Sequence, residues 1–305
     1  MCFAAVVVTY RPDGEVLENF QSVTESGGRL IVIDNTPLPD FPEFRELPGT
    51  TVVTLGRNIG LAAALNLGIR RAGGDGYENI FLFDQDSRPP RDFFSNMLHF
   101  KIDVDARADD CALYASNFYD RNSRTYARFP LFTRGTFRRR RCVRLRSGLL
   151  QETVMAITSG TLIAYSRYLK TGPFREDYFI DGIDTEYCLR IGKLGFRSAL
   201  NCRATIDHAL GNRVIRRFLG LTLRPSFHDA SRRYYEARNG IRTALDYFAD
   251  FPLYLPLFLA GLAQESLSIF LYEPDKARKI RALLAGLLHG LIGRMGECRL
   301  PWIRA

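Results

Sequence analysis

The stretch Phe81-Leu82-Phe83-Asp84-Gln85-Asp86-Ser87, preceded by Ile80, decides how this chain folds. Ile80 to Phe83 are apolar without alternation, which suits a strand buried on both faces of a mainly parallel sheet. The run ends in acid. Asp84 and Asp86 are two apart, so on an extended chain their side chains face opposite ways, and both reach one ion only if the backbone turns at Gln85. Ser87, Arg88, Pro89 and Pro90 supply turn residues. Ligands of open α/β sheets bind at the carboxyl ends of strands, and paired hard oxygen ligands suit Mg2+ or Mn2+ holding a diphosphate. Taken alone, an Asp-x-Asp is equally a polar turn after a core strand.

Upstream of this stretch the pattern repeats. Cys2 to Tyr10 is β-branched and apolar and stops at Arg11-Pro12-Asp13-Gly14. Glu15 to Ser26 has the spacing of a helix, ended by Gly27-Gly28. Leu30 to Ile33 is a second strand ending at Asp34-Asn35, and Thr51 to Leu55 is a third, ending near Arg57-Asn58. Polar groups at the ends of successive strands (Thr9, Asp34, Asn58, Asp84) describe the crevice of a nucleotide-binding α/β half. Residues 61–74 form a helix, with further helix and strand expected at 91–100 and 111–118. Neither a Walker glycine-lysine loop nor G-x-G-x-x-G occurs, so the P-loop and dinucleotide readings lack their physical parts.

The 305 residues are 46% hydrophobic, ample for a core, and the formal charge of +9 asks for an anionic partner. Six scattered cysteines, without Cys-x-x-Cys, indicate neither a zinc site nor a disulfide framework, so a reducing cytosol is expected. Met1 leads straight into a strand pattern without a basic leader, and no secretory signal is expected. Seven arginines and no carboxylate lie between Arg134 and Arg146. They are either a solvated hairpin face or a binding surface for a lipid head group or diphosphate-linked acceptor, and no nucleic-acid module accompanies them.

A second acidic block follows. Ala156 to Tyr165 reads as a strand interrupted at Ser159-Gly160, and Asp181-Gly182-Ile183-Asp184 leads into the helix TEYCLRIGKLG, where Glu186 can pair with Arg190. Asp181 or Asp184 is expected to cap that helix. A short strand at 196–201 precedes the stretch 204–211, which carries His208.

VVVTYRPD, VIDN, RNIGLAAALNLGI, FLFDQDS, ITSGTLI, FIDGIDTEYCLRIGKLGFR, DHALGN and RRYYEARN together resemble the family 2 glycosyltransferases, and most of all the rhamnosyltransferases of bacterial surface polysaccharide synthesis. The resemblance spans Val6 to about Arg242. It implies a GT-A fold: an α/β, nucleotide-sugar-binding mixed sheet flanked by helices. It also implies a sugar-nucleotide donor, a divalent metal (Mg2+ or Mn2+) and inversion at the anomeric carbon. By this resemblance Thr9, Asp34 and Asn58 contact the donor, Asp84 and Asp86 bind the metal with His208 as a further ligand, and Asp184 is the catalytic base. Many relatives have Glu-Asp where this chain has Ile183-Asp184, and Asp181 adds a carboxylate, so the base is Asp184 or Asp181. The implied donor is dTDP-L-rhamnose, with a galactofuranose or hexose nucleotide as alternative, and the acceptor a glycan or lipid-linked glycan, as in O-antigen. The rival readings are a haloacid-dehalogenase-type phosphatase, whose Asp-x-Asp belongs on a first strand, and a non-catalytic basic binding protein.

From residue 226 a helical region follows the catalytic domain at 1–225. Phe251 to Ala263 and Ile280 to Ile292 are apolar but too short to span a bilayer. With seven Lys/Arg against two acids after Pro274, the expectation is a peripheral anchor on the inner face of the cell membrane, or else a packing subdomain or a homo-oligomer contact.

Overall fold

The computed structural model describes residues 2–12, 15–37, 48–120, 125–132, 136–142, 153–208, 215–218 and 220–304. Its centre is β1 (Phe3–Thr9), which is buried along its whole length. The alternation of the pleat sends Ala4, Val6 and Val8 into one apolar layer and Phe3, Ala5 and Val7 into the other. This is why the strand reads as a continuous apolar run. β1 is paired in parallel with β2 (Arg29–Asp34) on one side and β4 (Asn79–Asp84) on the other. β3 (Thr50–Thr54) extends the β2 side, again in parallel.

Beyond β4 the sheet becomes mixed. β10 (Thr161–Ala164) runs antiparallel to both β4 and β5 (Cys111–Asp120), and β11 (Arg197–His208) is parallel to β5, giving the order β11-β5-β10-β4-β1-β2-β3, with the short β6 (Thr125–Tyr126) antiparallel to the end of β5. Helices α1 (Glu15–Glu25) and α3 (Phe93–Asp105) cover one face, where Phe3, Phe20, Phe81, Phe83, Phe93 and Phe94 form one aromatic cluster of edge-to-face, tilted and stacked pairs. Helices α2 (Leu61–Gly74), α4 (Tyr165–Thr171) and α5 (Ile183–Lys193) cover the other. The mixed sheet flanked by helices is the expected architecture, with three parallel strands preceding Asp84 in sequence.

Several details differ from the sequence reading. The strand expected over 156–165 shrinks to β10, because Thr158 to Gly160 turn the chain, and Tyr165 passes directly into α4. The short strand expected at 196–201 runs on to His208 as one strand, β11, with a register shift between Asn201 and Thr205, while residues 209–211 lie outside the described residues. There Asn201 Oδ1 accepts the amides of Arg203 at 3.0 Å and Ala204 at 3.4 Å, so an internal side chain holds the bulge. Of the arginine run, Arg134, Arg144 and Arg146 lie outside the described residues. Arg138, Arg139 and Arg140 sit in a small antiparallel sheet of β7 (Phe129–Phe132), β8 (Phe137–Arg140) and β9 (Thr153–Val154), and Arg141 directly follows β8. Contrary to the cysteine reading, Cys142, just after β8, forms a disulfide with Cys202 of the β11 bulge. Spacing along the sequence carries no sign of this pairing, since the two are 60 residues apart. In a reducing compartment the same sulfurs are a thiol pair.

The helical region consists of α6 (Ala230–Asp246), α7 (Tyr254–Tyr272), α8 (Lys276–Leu291) and α9 (Pro301–Arg304). α8 lies close against α6 because Gly286 and Gly290 face it; a Cβ on either would stand 2.3 Å from the Tyr234 oxygen or 2.4 Å from that of Arg238. A buried charge network ties the helices together. Arg233 Nη2 donates to Glu273 Oε1 at 2.8 Å, Lys279 Nζ bonds Glu273 Oε2 at 2.8 Å, and Arg233 also pairs with Glu265 of α7. Because Glu265 turns inward, α7 continues through Gln264-Glu265 to 19 residues. Among the described residues it is the one helix long and apolar enough to cross a membrane, with mean hydropathy 1.4.

Candidate active site

The parallel register fixes the site at the carboxyl edge of the sheet, with Val8 opposite Asp84 and Thr9 opposite Asp34. The turn that the Asp-x-Asp spacing required is present and is built by Gln85. Its Oε1 accepts the Tyr10 amide at 2.8 Å, its Nε2 donates to the Tyr10 carbonyl at 3.3 Å, and its own carbonyl accepts Asn19 Nδ2 at 3.2 Å. Ser87 N donates to the Asp84 carbonyl at 3.1 Å and closes the turn. Beneath it, Ser159 Oγ accepts the Asp84 amide at 3.4 Å and bonds Ser87 Oγ, which accounts for the Ser159-Gly160 break in the strand pattern.

Arg88 N reaches the Asp207 carbonyl at 3.2 Å, forming a bridge between the motif and β11. His208 is the next residue of β11; its side chain lies outside the described residues. Asp84 and Asp86 are both half-buried. Among the described residues no group of three or more His, Cys, Asp or Glu gathers to hold a metal. The two carboxylates at one strand end are nevertheless the hard oxygen donors a Mg2+ or Mn2+ ion takes, and the residues fit that group.

On the β1–β3 side, Thr9 is fully buried, and its Oγ1 donates to Asp34 Oδ1 at 3.3 Å. The same oxygen accepts the Thr36 amide at 3.2 Å. Thr9 therefore sits below the crevice floor and orients Asp34. Asn35 Nδ2 donates to Asn58 Oδ1 at 2.9 Å, an oxygen that also accepts the Gly60 amide at 2.9 Å, while Asn35 Oδ1 accepts Ile59 N at 2.8 Å. This lattice turns the chain into α2. Gly60, at φ +88°, passes so close to the Phe179 backbone that a Cβ would lie 2.8 Å from its oxygen, so the donor side and the second acidic block touch here.

That block is a strained loop. Phe179 and Asp181 both hold positive φ, at 66° and 61°, at a cost of order 1–3 kcal/mol each. The restraint comes from α6. Asn239 Nδ2 donates to the carbonyls of Tyr178 at 3.0 Å, Ile180 at 2.7 Å and Asp181 at 2.7 Å. Arg238 Nη2 donates to those of Asp177 at 3.0 Å and Tyr178 at 2.9 Å.

The two candidate bases then differ in kind. Asp181 is gripped by Arg232, Nη2 to Oδ1 at 2.5 Å and Nε to Oδ2 at 3.2 Å. Burial raises its carboxyl and Arg232 opposes this; burial likewise lowers the guanidinium, while Asp181 raises it to a net upward shift. This bidentate geometry favours the ionised pair. Asp184 stands in the first turn of α5, and its Oδ1 accepts the amide of Thr185 at 2.7 Å. Among the described residues no cation pairs with it. Burial pushes its carboxyl up to about 6; the Thr185 amide opposes this, and the negative charge of Asp84 adds to it. Neither aspartate caps α5, whose N-cap is Gly182, so the expected capping role is absent. The expected Glu186–Arg190 pair is present at 2.6 Å, and it anchors the helix through Tyr247, which bonds Glu186 Oε1 at 2.6 Å.

Arg232, Arg238 and Asn239 received no role from the sequence. Their signal was an unusual density of polar residues on what becomes the inner face of α6, in RRYYEARN. Between the crevice and the helical region lies a cavity of about 420 Å³. It is lined by Tyr10, Asn58 and Phe179, by Asp229 and Ser231 at the start of α6, and by Arg278 and Lys279 of α8.

The chain matches the model of the glycosyl transferase family 2 over residues 5–170 of its 305 and belongs to that family; it is a glycosyltransferase. That range takes in Asp84 and Asp86, and Asp181 and Asp184 lie beyond it. Among curated proteins, the dTDP-rhamnosyl transferase RfbF of Shigella flexneri is 29% identical over 241 residues, 77% of each chain. Among solved structures, S. aureus TarS 1–349 superposes with TM-score 0.57 at 11% identity, covering 96% of this chain and 82% of TarS. GalNAc-T7 with UDP, GalNAc and Mn2+ gives TM-score 0.57 at 12% identity, over 92% of this chain and 53% of that one. These likenesses establish the GT-A fold.

Proposed function

We propose that the protein is a metal-dependent inverting rhamnosyltransferase, moving L-rhamnose from dTDP-L-rhamnose to a glycan or lipid-linked acceptor in surface polysaccharide synthesis such as that of O-antigen. The choice of sugar is supported by the similarity to the Shigella dTDP-rhamnosyl transferase. The mechanism is supported by one observation above all: Asp184 has no cationic partner among the described residues and feels the charge of Asp84, whereas Asp181 is neutralised by Arg232. In this reading residues 1–225 form the catalytic domain and 226–305 a helical region that braces the loop bearing Asp181 and contacts the membrane at its cytoplasmic face.

Asp184 accepts the proton of the acceptor hydroxyl as its oxygen bonds to the anomeric carbon and the bond to the diphosphate breaks on the opposite face. A carboxyl with a pKa about 6 is ionised at neutral pH and is a stronger base than an ordinary aspartate. Asp84 and Asp86, with His208 as a further ligand, would hold Mg2+ or Mn2+, which when bound supplies positive charge against the departing diphosphate. Asp34, oriented by Thr9, and Asn58 bind the nucleoside end of the donor.

The direct test is release of nucleoside diphosphate from a panel of sugar nucleotides, with and without Mn2+. Turnover of dTDP-L-rhamnose that requires the ion supports the assignment. Turnover of UDP-galactofuranose or UDP-glucose with none of dTDP-L-rhamnose overturns the choice of donor.

A further inference from the structure

Two features far apart in sequence are joined by a chain of aromatic contacts. β8 is held inward at both ends, by Phe137 and by the buried Cys142, while Arg138, Arg139, Arg140 and Arg141 between them are exposed. Among the described residues, none of these four guanidiniums pairs with a carboxylate, and Arg139 stacks over the Phe137 ring at 5.5 Å. Phe137 packs on Phe132 at 4.9 Å between ring centroids, and Phe132 packs on Tyr254, the first residue of α7, at 5.9 Å. The arginine strand therefore abuts the start of the apolar helix.

From there an uncharged surface runs on. Between Phe251 and Tyr272 the one carboxylate is Glu265, which is turned inward to Arg233, and no basic residue occurs. Of α7, only Ser268 and Ile269 are fully buried, while Phe270 is 65% exposed. The neighbouring α8 exposes Leu284, Leu288 and Leu291 at spacings of four and three, one helical stripe, each more than half accessible. Lys276 lies over the Phe270 ring at 5.7 Å, and Arg281 continues the α8 stripe.

We propose that β8 and the exposed faces of α7 and α8 form one amphipathic surface that seats the enzyme on an anionic lipid bilayer, the arginines on head-group phosphates and the leucines below them. This rests on the membrane contact proposed above and adds the arginine strand to it. Exposed apolar helix beside exposed cations is the combination an acidic bilayer accepts. A nucleic acid would use the arginines and leave the leucines in water. α7 lies along the surface, because Glu265 and its contacts with α6 and α8 bind it side-on to the body.

The test is flotation of the full-length protein with phosphatidylcholine vesicles with and without phosphatidylglycerol, at low and high salt. The wild type is expected to float with the anionic vesicles only and to be released by salt. A variant with Arg138→Ser, Arg139→Ser and Arg140→Ser is expected to lose at least tenfold in partitioning, and Leu284→Glu with Leu288→Glu to lose binding, both with unchanged Tm and donor hydrolysis. If the arginine variant binds as the wild type does while the leucine variant does not, the arginine strand is no part of the surface, and the membrane contact of the helices survives. If the wild type binds neither vesicle, both readings fail. Self-association abolished by the leucine variant, or retention on single-stranded oligonucleotide without vesicle binding, also overturns the proposal.

Discussion

Arg232 grips Asp181 through both carboxylate oxygens across 51 positions of sequence, and it thereby sets apart two aspartates that stand only three residues from each other. The pair also has structural weight, because Asp181 is largely buried and sits at positive φ. Arg232→Met leaves that carboxylate without its cation. Arg232 is partly exposed, which screens the effect, so the expected loss is about 2 kcal/mol, below the range for fully buried pairs. Thermal unfolding should show a lowered Tm at pH 7 that recovers towards pH 4 as Asp181 takes up a proton. A Tm deficit independent of pH would mean that Arg232 acts by packing.

Asp184 is expected to cost the fold stability. Its folded pKa, about 6, lies above the ordinary value of 3.8, so the native state holds the proton more tightly than the unfolded chain. Below about pH 4 both states are protonated and nothing is lost; as pH rises through 6 the native protein carries the full penalty of a half-buried charge. Asp184→Asn should therefore raise Tm by on the order of 2 °C at pH 8, with little change at pH 4. A stabilisation that is equal at both values would show that ionisation is not its source.

Asn239 acts on the site without facing the substrate. Asn239→Asp keeps the volume of the side chain but removes both donors from the Tyr178, Ile180 and Asp181 carbonyls and adds a charge beside them. The Tyr178 carbonyl keeps Arg238 as a donor, so the loss falls on those of Ile180 and Asp181, at about 1–3 kcal/mol each. Transfer should fall at least tenfold while donor affinity changes little, since the Asp34 and Asn58 side does not depend on Asn239. Unaltered transfer with lowered stability would confine Asn239 to the fold.

Much of this was written locally in the chain. The apolar strands, their acidic ends and the turn at Gln85 follow from residues within a few positions of one another, and buried parallel strands announce themselves by unbroken apolar runs. The Glu186–Arg190 pair was legible for the same reason, being one helical turn long. What was not legible depends on tertiary approach. The Arg232–Asp181 pair, the Asn239 clamp and the Cys142–Cys202 disulfide each join segments 50 or more residues apart, and local spacing holds no record of them. The capping role expected of Asp181 or Asp184 was lost to such a contact, because Arg232 took one carboxylate and Gly182 the cap. The length of α7 was hidden by Glu265, which looks like the end of an apolar run until Arg233 is seen to receive it.

Whether Asp184 takes the acceptor proton is decided by comparing Asp184→Asn, Asp181→Asn and Asp84→Asn in single-turnover transfer and in Mn2+-dependent donor binding, with the wild-type rate followed against pH. Because a base works ionised, wild-type kcat/KM should fall about tenfold per pH unit below about pH 6 and be flat above it. Asp184→Asn should bind donor and ion normally yet transfer more slowly by on the order of a hundredfold or more. Asp84→Asn should lose the ion-dependent donor binding itself, and Asp181→Asn should keep measurable transfer in a less stable protein. Near-normal transfer by Asp184→Asn, with transfer abolished and donor binding intact in Asp181→Asn, would contradict the account and move the base three residues towards the N-terminus.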